Sequence, residues 1–250
     1  MKPLCSVFFH NYYGAHQSWM GYFEKNISFP ANLYYNIAES SIYNIEQSTE
    51  DFFSNYKPGS NSYLKNIIVR QSPNTGKDIG GKLVLLDTYL KLGMQTEYGL
   101  FLHDKRSPYK ANNQTWTDNL LKIAEKPFSE QALTLIKNNP DIGIITVNGN
   151  IGNEFDYTIN SFKSSNKQLL SELQNIFDIH PLDFRYIAGT MFWFRTAPLI
   201  NFLEKNTPLK IRAMLEKGNV TDEDEGTYTH SWERLLCWII TSQNYSIKTI

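Results

Sequence analysis

Short apolar runs alternate with amphipathic stretches along the first 150 residues of the chain. Runs at 4–9, 32–37, 66–70, 98–102 and 141–147 predict strands, each bounded by polar or turn-forming residues. Between the first two, Trp19, Met20, Tyr22 and Phe23 fall on or near one face of a helix over 15–25. Ser48, followed by Thr49, Glu50 and Asp51, predicts a capped helix that runs to about residue 56 and stops at Pro58-Gly59. Leu83, Leu86 and Leu90 have helical spacing over 82–92, and Gly93 is a natural C-cap. Further helices are predicted from near Thr115 and over 129–138, the latter capped by Ser129.

This β-α alternation predicts an α/β fold, an open and mostly parallel sheet with helices on both faces. Ligands on such sheets bind outside the carboxyl ends of the strands. The loops at 74–81 and 103–106 therefore share one rim. From Phe177 the rhythm changes. A stretch over 183–195 is apolar and aromatic, interrupted by Gly189, and a helix follows over 197–205. The acidic run Asp222-Glu-Asp-Glu225 then leads to a helix over 232–240 that is apolar nearly all round. The expectation is one domain, 1–250, whose second half (151–250) completes a site begun by the first (1–150).

Charge excludes some partners. A net charge of -1 leaves no electrostatic footprint for nucleic acid, and the basic residues are scattered rather than clustered. Cys5 and Cys237 sit in apolar runs and read as buried free thiols of a reducing compartment. No run reaches the length of a signal peptide or membrane span, so the expected location is cytoplasmic.

The loop Asn74-Thr-Gly-Lys-Asp-Ile-Gly-Gly81 lacks the Gly-Lys-Ser/Thr ending of a P-loop and the glycine spacing of a dinucleotide fingerprint. Its glycines (76, 80 and 81) let backbone approach a ligand, and amides at a helix start suit an anion or a ribose. Asp78 can accept hydrogen bonds from a base or sugar hydroxyls; a glycine-rich turn with an aspartate cap fits equally well. In His103-Asp104-Lys105-Arg106, magnesium or manganese needs more carboxylate than Asp104 supplies. Lys105 and Arg106, helped by His103, suit a diphosphate better, and a solvated turn stays open. The acidic run is followed closely by His230, Glu233 and Arg234. An arginine partner fixes one carboxylate while crowding raises another, a combination that suits a general base. No serine sits in a nucleophile elbow.

Four stretches in order, residues 74–81, 102–107, Ala188-Gly-Thr-Met-Phe-Trp-Phe-Arg195 and Glu225-Gly-Thr-Tyr-Thr-His-Ser-Trp-Glu-Arg234, resemble the rhamnan synthesis protein F family. That family is glycosyltransferase-like and belongs to bacterial cell-surface polysaccharide assembly. The layout also resembles the wider glycosyltransferase A-type fold, a nucleotide-sugar-binding half followed by an acceptor half. The resemblance implies an inverting transferase with Glu225 as base, Asp224 as its rival and Lys105 on the departing diphosphate. It places His10, Asn74, Gly76, Lys77, Asp78, Gly80, His103, Asp104, Arg106, Gly189, Thr190 and Met191 around the donor. Trp193, His230, Glu233 and Arg234 fall on the acceptor or supporting side. The implied partners are a nucleoside-diphosphate sugar (dTDP-rhamnose, or a UDP- or GDP-sugar) and a polysaccharide or lipid-linked oligosaccharide acceptor. Peripheral contact with the inner face of the plasma membrane is compatible with that role. Because the Asp-x-Asp motif of the wider fold is missing, no metal ligands are assigned; Mg2+ or Mn2+ at Asp104 is the one cofactor left open. The rival reading is a non-catalytic glycan-binding or assembly module whose aromatics (Tyr12, Tyr13, Trp19, Trp116, Trp193) stack on sugars, although most such aromatics are core.

Overall fold

The structure is a computed structural model that describes residues 2–39, 44–55, 63–104 and 113–250. The first half alternates as predicted: β1 (Cys5–Asn11), α1 (His16–Asn26), β2 (Ala31–Ala38), α2 (Ile45–Asn55), β3 (Leu64–Ser72), α3 (Lys77–Leu92), β4 (Tyr98–His103), α4 (Asn113–Leu121), α5 (Lys126–Asn138) and β5 (Ile142–Thr146). Short strands β6 (Ile151–Asn153), β7 (Phe155–Asp156) and β8 (Ser161–Phe162) follow, then α6 (Lys167–Phe177), β9 (Arg185–Ile187), β10 (Phe192–Arg195), α7 (Thr196–Lys205), α8 (Pro208–Arg212), α9 (Tyr228–Thr241) and β11 (Ser246–Thr249).

Seven strands form the central sheet in the order β11-β5-β10-β4-β1-β2-β3. All pairings are parallel except those of β10, which runs antiparallel between β4 and β5. Two of the seven strands, β10 and β11, therefore come from the second half of the chain. Consecutive residues on a strand point to opposite faces. Phe8, Tyr34, Phe101, Phe192 and Phe194 accordingly enter one core with α3, α6, α7 and α9. Phe9, Tyr35, Leu102 and Trp193 enter the other with α1, α4 and α5. Burial on both faces explains why β1 and β2 carry consecutive apolar residues, Val7-Phe8-Phe9 and Leu33-Tyr34-Tyr35, in place of an alternating pattern.

Several boundaries differ from the pattern-based expectation for identifiable reasons. Helix α2 starts at Ile45, so Ser48 lies inside it, and Asn44 Oδ1 accepts the amides of Glu46 and Gln47. In α5 the helix opens at Lys126 with proline in its first turn, so Ser129 lies inside it. Helix α9 begins a full turn early, because Thr227 caps it and Glu216 accepts the amides of Tyr228 and Thr229. The start of α3 at Lys77 rather than residue 82 matters most. Gly80 and Gly81 are poor helix formers, but tertiary packing requires them. A Cβ on Gly80 would lie 1.7 Å from the Thr75 carbonyl oxygen, and one on Gly81 would lie 1.8 Å from His10 Nδ1. The spaces these glycines leave are filled by protein and not by a ligand.

Cys5 and Cys237 are both free and buried. Among the described residues, no helix is long and apolar enough to cross a membrane.

Candidate active site

The chain order reverses between β1 and β4, with β2 and β3 continuing the sheet on one side and β10 and β5 on the other, and this is where α/β sheets take ligands. His10 and His103 are register partners at that point. Asn36 Nδ2 on β2 is 3.0 Å from His10 Nδ1 and donates to Ser72 Oγ at 3.0 Å on β3. A buried polar row thus crosses the carboxyl ends of four strands.

Starting α3 at Lys77 puts Asp78 and Lys82 on one face, one turn apart. Lys82 is completely buried. Its ammonium donates to Asp78 Oδ2 at 2.6 Å and Thr190 Oγ1 at 2.6 Å, and lies 3.2 Å from His103 Nδ1. The Thr190 hydroxyl in turn donates to Asp78 Oδ2 at 2.6 Å. Burial pushes the Asp78 carboxyl up; the Lys82 and His103 charges and the bonds from Lys82 and Thr190 outweigh it and hold it well below the usual carboxylate range. Both hydrogen bonds fall on Oδ2 and leave Oδ1 for a ligand, on a side chain still 22% exposed. Thr190 takes φ +47°, an uncommon backbone state for a β-branched residue, and its two side-chain hydrogen bonds hold it there.

Gly189 links this cluster to α9, because its amide donates to Glu233 Oε1 at 2.8 Å. Arg234 donates to Glu233 at 2.8 Å and to the buried Glu154 at 3.1 Å, with its guanidinium 4.6 Å from the Tyr186 ring centre. His230 Nδ1 lies 2.6 Å from Thr227 Oγ1. Across the rim, the segment around 216–220 is strapped over the α3 entry loop. Gly76 donates its amide to Glu216 O, Gly218 donates to Asn74 O, and Lys77 Nζ donates to Val220 O. Asn219 reaches both Asn74 and Tyr12.

Asp104 has a structural task. Its Oδ1 accepts the Tyr12 amide at 2.8 Å and its Oδ2 the Tyr13 amide at 2.6 Å, tying the end of β1 to the end of β4. With both oxygens so engaged, Asp104 is a poor metal ligand. Among the described residues no group of three or more His, Cys, Asp or Glu side chains is placed to hold an ion.

The structure brings His10, Asn74, Gly76, Lys77, Asp78, Gly80, His103, Asp104, Gly189 and Thr190 to the rim, with His230, Glu233 and Arg234 beside them on α9. Lys105 and Arg106 lie outside the described residues. Met191 and Trp193 are wholly buried; the Trp193 indole donates to Ile123 O and packs on Phe29, which leaves it no face for a sugar. Trp19 likewise stacks within the core against Phe9. Asp224 and Glu225 are exposed, whereas Asp222 is half-buried and bound by Asn166. Sequence reasoning missed Lys82, Asn36, Glu154 and Asn166. The signal for Lys82 was the Asp78/Lys82 spacing, hidden by setting the helix start five residues late.

His10 provides a pH prediction. Burial lowers its pKa to about 4; Asp78 pulls it up, and Lys82 and Arg212 push it further down. Below the ordinary value of about 6.5 the unfolded chain binds a proton that the folded chain refuses, so this stability is full above that value and lost as pH falls toward 4. The full span corresponds to about 3 kcal/mol. Burial lowers His16 and His230 as well, so the comparison must be with a variant. Between pH 7 and 4.5, urea midpoints of His10→Gln should fall distinctly less than those of the wild type; equal slopes would remove His10 as a cause.

The sheet order, the antiparallel strand between β4 and β5, and a polar site on the carboxyl rim define a glycosyltransferase A-type fold. The chain belongs to the rhamnan synthesis protein F family, whose model matches residues 4–245. A comparison with curated proteins returns no match.

Proposed function

We propose that the chain transfers a sugar, with inversion, from a nucleoside-diphosphate donor to a hydroxyl of a growing cell-surface polysaccharide. Membership of a rhamnan synthesis family favours dTDP-rhamnose as donor, ahead of UDP- and GDP-sugars. The observation that carries the reading is the Asp78 carboxylate. It is ionised, fixed by Lys82 and Thr190, and free at Oδ1 beside the β1/β4 crevice. Such an oxygen accepts a hydroxyl or N–H of the donor. Thr190 and Gly189 carry the site toward α9, where the acceptor binds. Lys105 and Arg106 follow β4 in sequence after Asp104 and supply positive charge for the departing diphosphate without a metal.

Holding both substrates in line supplies much of the acceleration in such reactions. A panel of nucleotide sugars in EDTA tests the donor half. At a hundredfold excess over Kd, a native-state ligand stabilises by about 2.7 kcal/mol, or roughly 5 to 10 °C for a chain of this size. Midpoint shifts with dTDP-, UDP- or GDP-sugars in EDTA support the reading. If free nucleoside diphosphates and their sugars shift nothing while an oligosaccharide does, the chain is a glycan-binding module instead. A strict manganese requirement contradicts the metal-free site.

A further inference from the structure

We infer that His230, with Asp222 lying beside its Nε2, takes the proton from the acceptor hydroxyl. This inference rests on the transfer reading and deepens it.

The four acids of the run differ sharply in how they are held. Glu223, Asp224 and Glu225 are exposed. Asp222 is half-buried, and its Oδ2 accepts from Asn166 Nδ2 at 2.8 Å. Asn166 is itself completely buried and fixed, because its Oδ1 accepts the Thr227 amide at 2.8 Å. A base works from a fixed position, and only Asp222 in the run has one.

Asp222 Oδ1 faces His230 Nε2 across 3.9 Å, too far for a direct hydrogen bond. The other ring nitrogen, Nδ1, is engaged by Thr227 Oγ1, which already accepts the His230 amide as helix cap. With Nδ1–H donating to Thr227, Nε2 presents a lone pair toward the gap beside Asp222. The imidazole is 19% exposed, enough to be reached and little enough to be held. Its hydrogen-bonded helix also carries Glu233, whose carboxylate fixes Gly189 next to Thr190. The pair is thus joined through protein contacts to the Asp78 end of the site.

The step balances as follows. The acceptor O–H bond breaks and an N–H bond forms at His230 Nε2. The acceptor oxygen forms a bond to the anomeric carbon as the bond from that carbon to the diphosphate oxygen breaks, its electron pair leaving with the nucleoside diphosphate. The Asp222 carboxylate stabilises the imidazolium, which later returns its proton to water. The charged groups around His230 are Asp222 and Glu233, which favour the imidazolium, and Lys77 and Arg234, which oppose it. Burial weighs most and keeps the ring neutral, ready to accept, at neutral pH.

The test is the pH profile of kcat/KM for rhamnose transfer from dTDP-rhamnose, with donor binding followed by thermal shift. The wild type should lose activity toward acid pH as His230 protonates. Asp222→Asn should move that limb to lower pH, because it removes the charge that favours the imidazolium. His230→Asn should cost roughly a hundredfold or more in kcat, the ordinary worth of a general base, and abolish the acid limb while keeping the donor-induced shift. Glu225→Gln should lose less than tenfold. An active His230→Asn with an unchanged profile, or a collapse of Glu225→Gln alone, overturns the inference and leaves glycosyl transfer standing. A wild type that transfers no sugar from any donor in the panel overturns both.

Discussion

Lys82→Met loses about 3 kcal/mol of stability at neutral pH, one of the largest effects expected of any single change in this chain. The ammonium is completely buried and makes three contacts, to Asp78, Thr190 and His103. Methionine fills most of the same volume, so the loss does not come from a cavity. It comes from the Asp78 carboxylate, left without its counter-charge in a site it cannot leave. Removing one partner of a buried pair typically costs about 3–5 kcal/mol, and the partial exposure of Asp78 sets the low end. Replacing both partners removes the stranded charge, so Lys82→Met/Asp78→Asn should recover a substantial part of the loss. Urea midpoints of the two variants read this directly. A double variant no better than the single one would mean that Lys82 acts by packing and not by charge.

Gly80→Ala should cost about 3 kcal/mol, although it replaces glycine by alanine inside a helix. Taken alone, that exchange gains up to about 1 kcal/mol from helix propensity. Here the new methyl would lie 1.7 Å from the Thr75 carbonyl oxygen and 2.8 Å from its carbon, both backbone atoms. Either the first turn of α3 or the entry loop must move, and overpacking of this kind costs about 1–3 kcal/mol beyond the lost gain. The displaced segment carries Asp78, so donor binding should weaken as well. Gly21→Ala in α1 is the matched control. Its Cβ meets nothing within 4 Å, and the propensity gain should appear undiminished. Opposite signs in thermal midpoint for one substitution at two helical glycines would show that packing decides.

These two sites also mark the limit of what the sequence discloses. Strands buried on both faces announce themselves as apolar runs, which is why β1, β2, β4 and β5 and the α/β class were legible. The seventh strand and the antiparallel insertion of β10 were not, because long-range pairing leaves no local period. At the rim, the motif residues from 74 to 81 and 188 to 190 drew attention through their glycines. The reason for Gly80 and Gly81, a carbonyl and a histidine ring occupying their missing side chains, lies in tertiary contacts alone. Lys82 was invisible as a site residue because glycines at helix positions delay a propensity-based start. Asp104 resembled half a metal motif, but in space it clamps the amides of Tyr12 and Tyr13. In the acidic run, four neighbouring carboxylates look alike in sequence. Only the fold, by placing Asn166 against Asp222, tells them apart.

Glycosyl transfer at the β1/β4 rim is tested most directly by following labelled rhamnose from dTDP-rhamnose into a rhamnose-containing acceptor in EDTA, with wild type and Asp78→Asn side by side. The expected result is transfer with one nucleoside diphosphate released per sugar, and a loss of roughly tenfold to a hundredfold in Asp78→Asn, the worth of a hydrogen bond to a charged group. Transfer by Asp78→Asn at the wild-type rate, or no transfer by the wild type from dTDP-, UDP- or GDP-sugars, would contradict it.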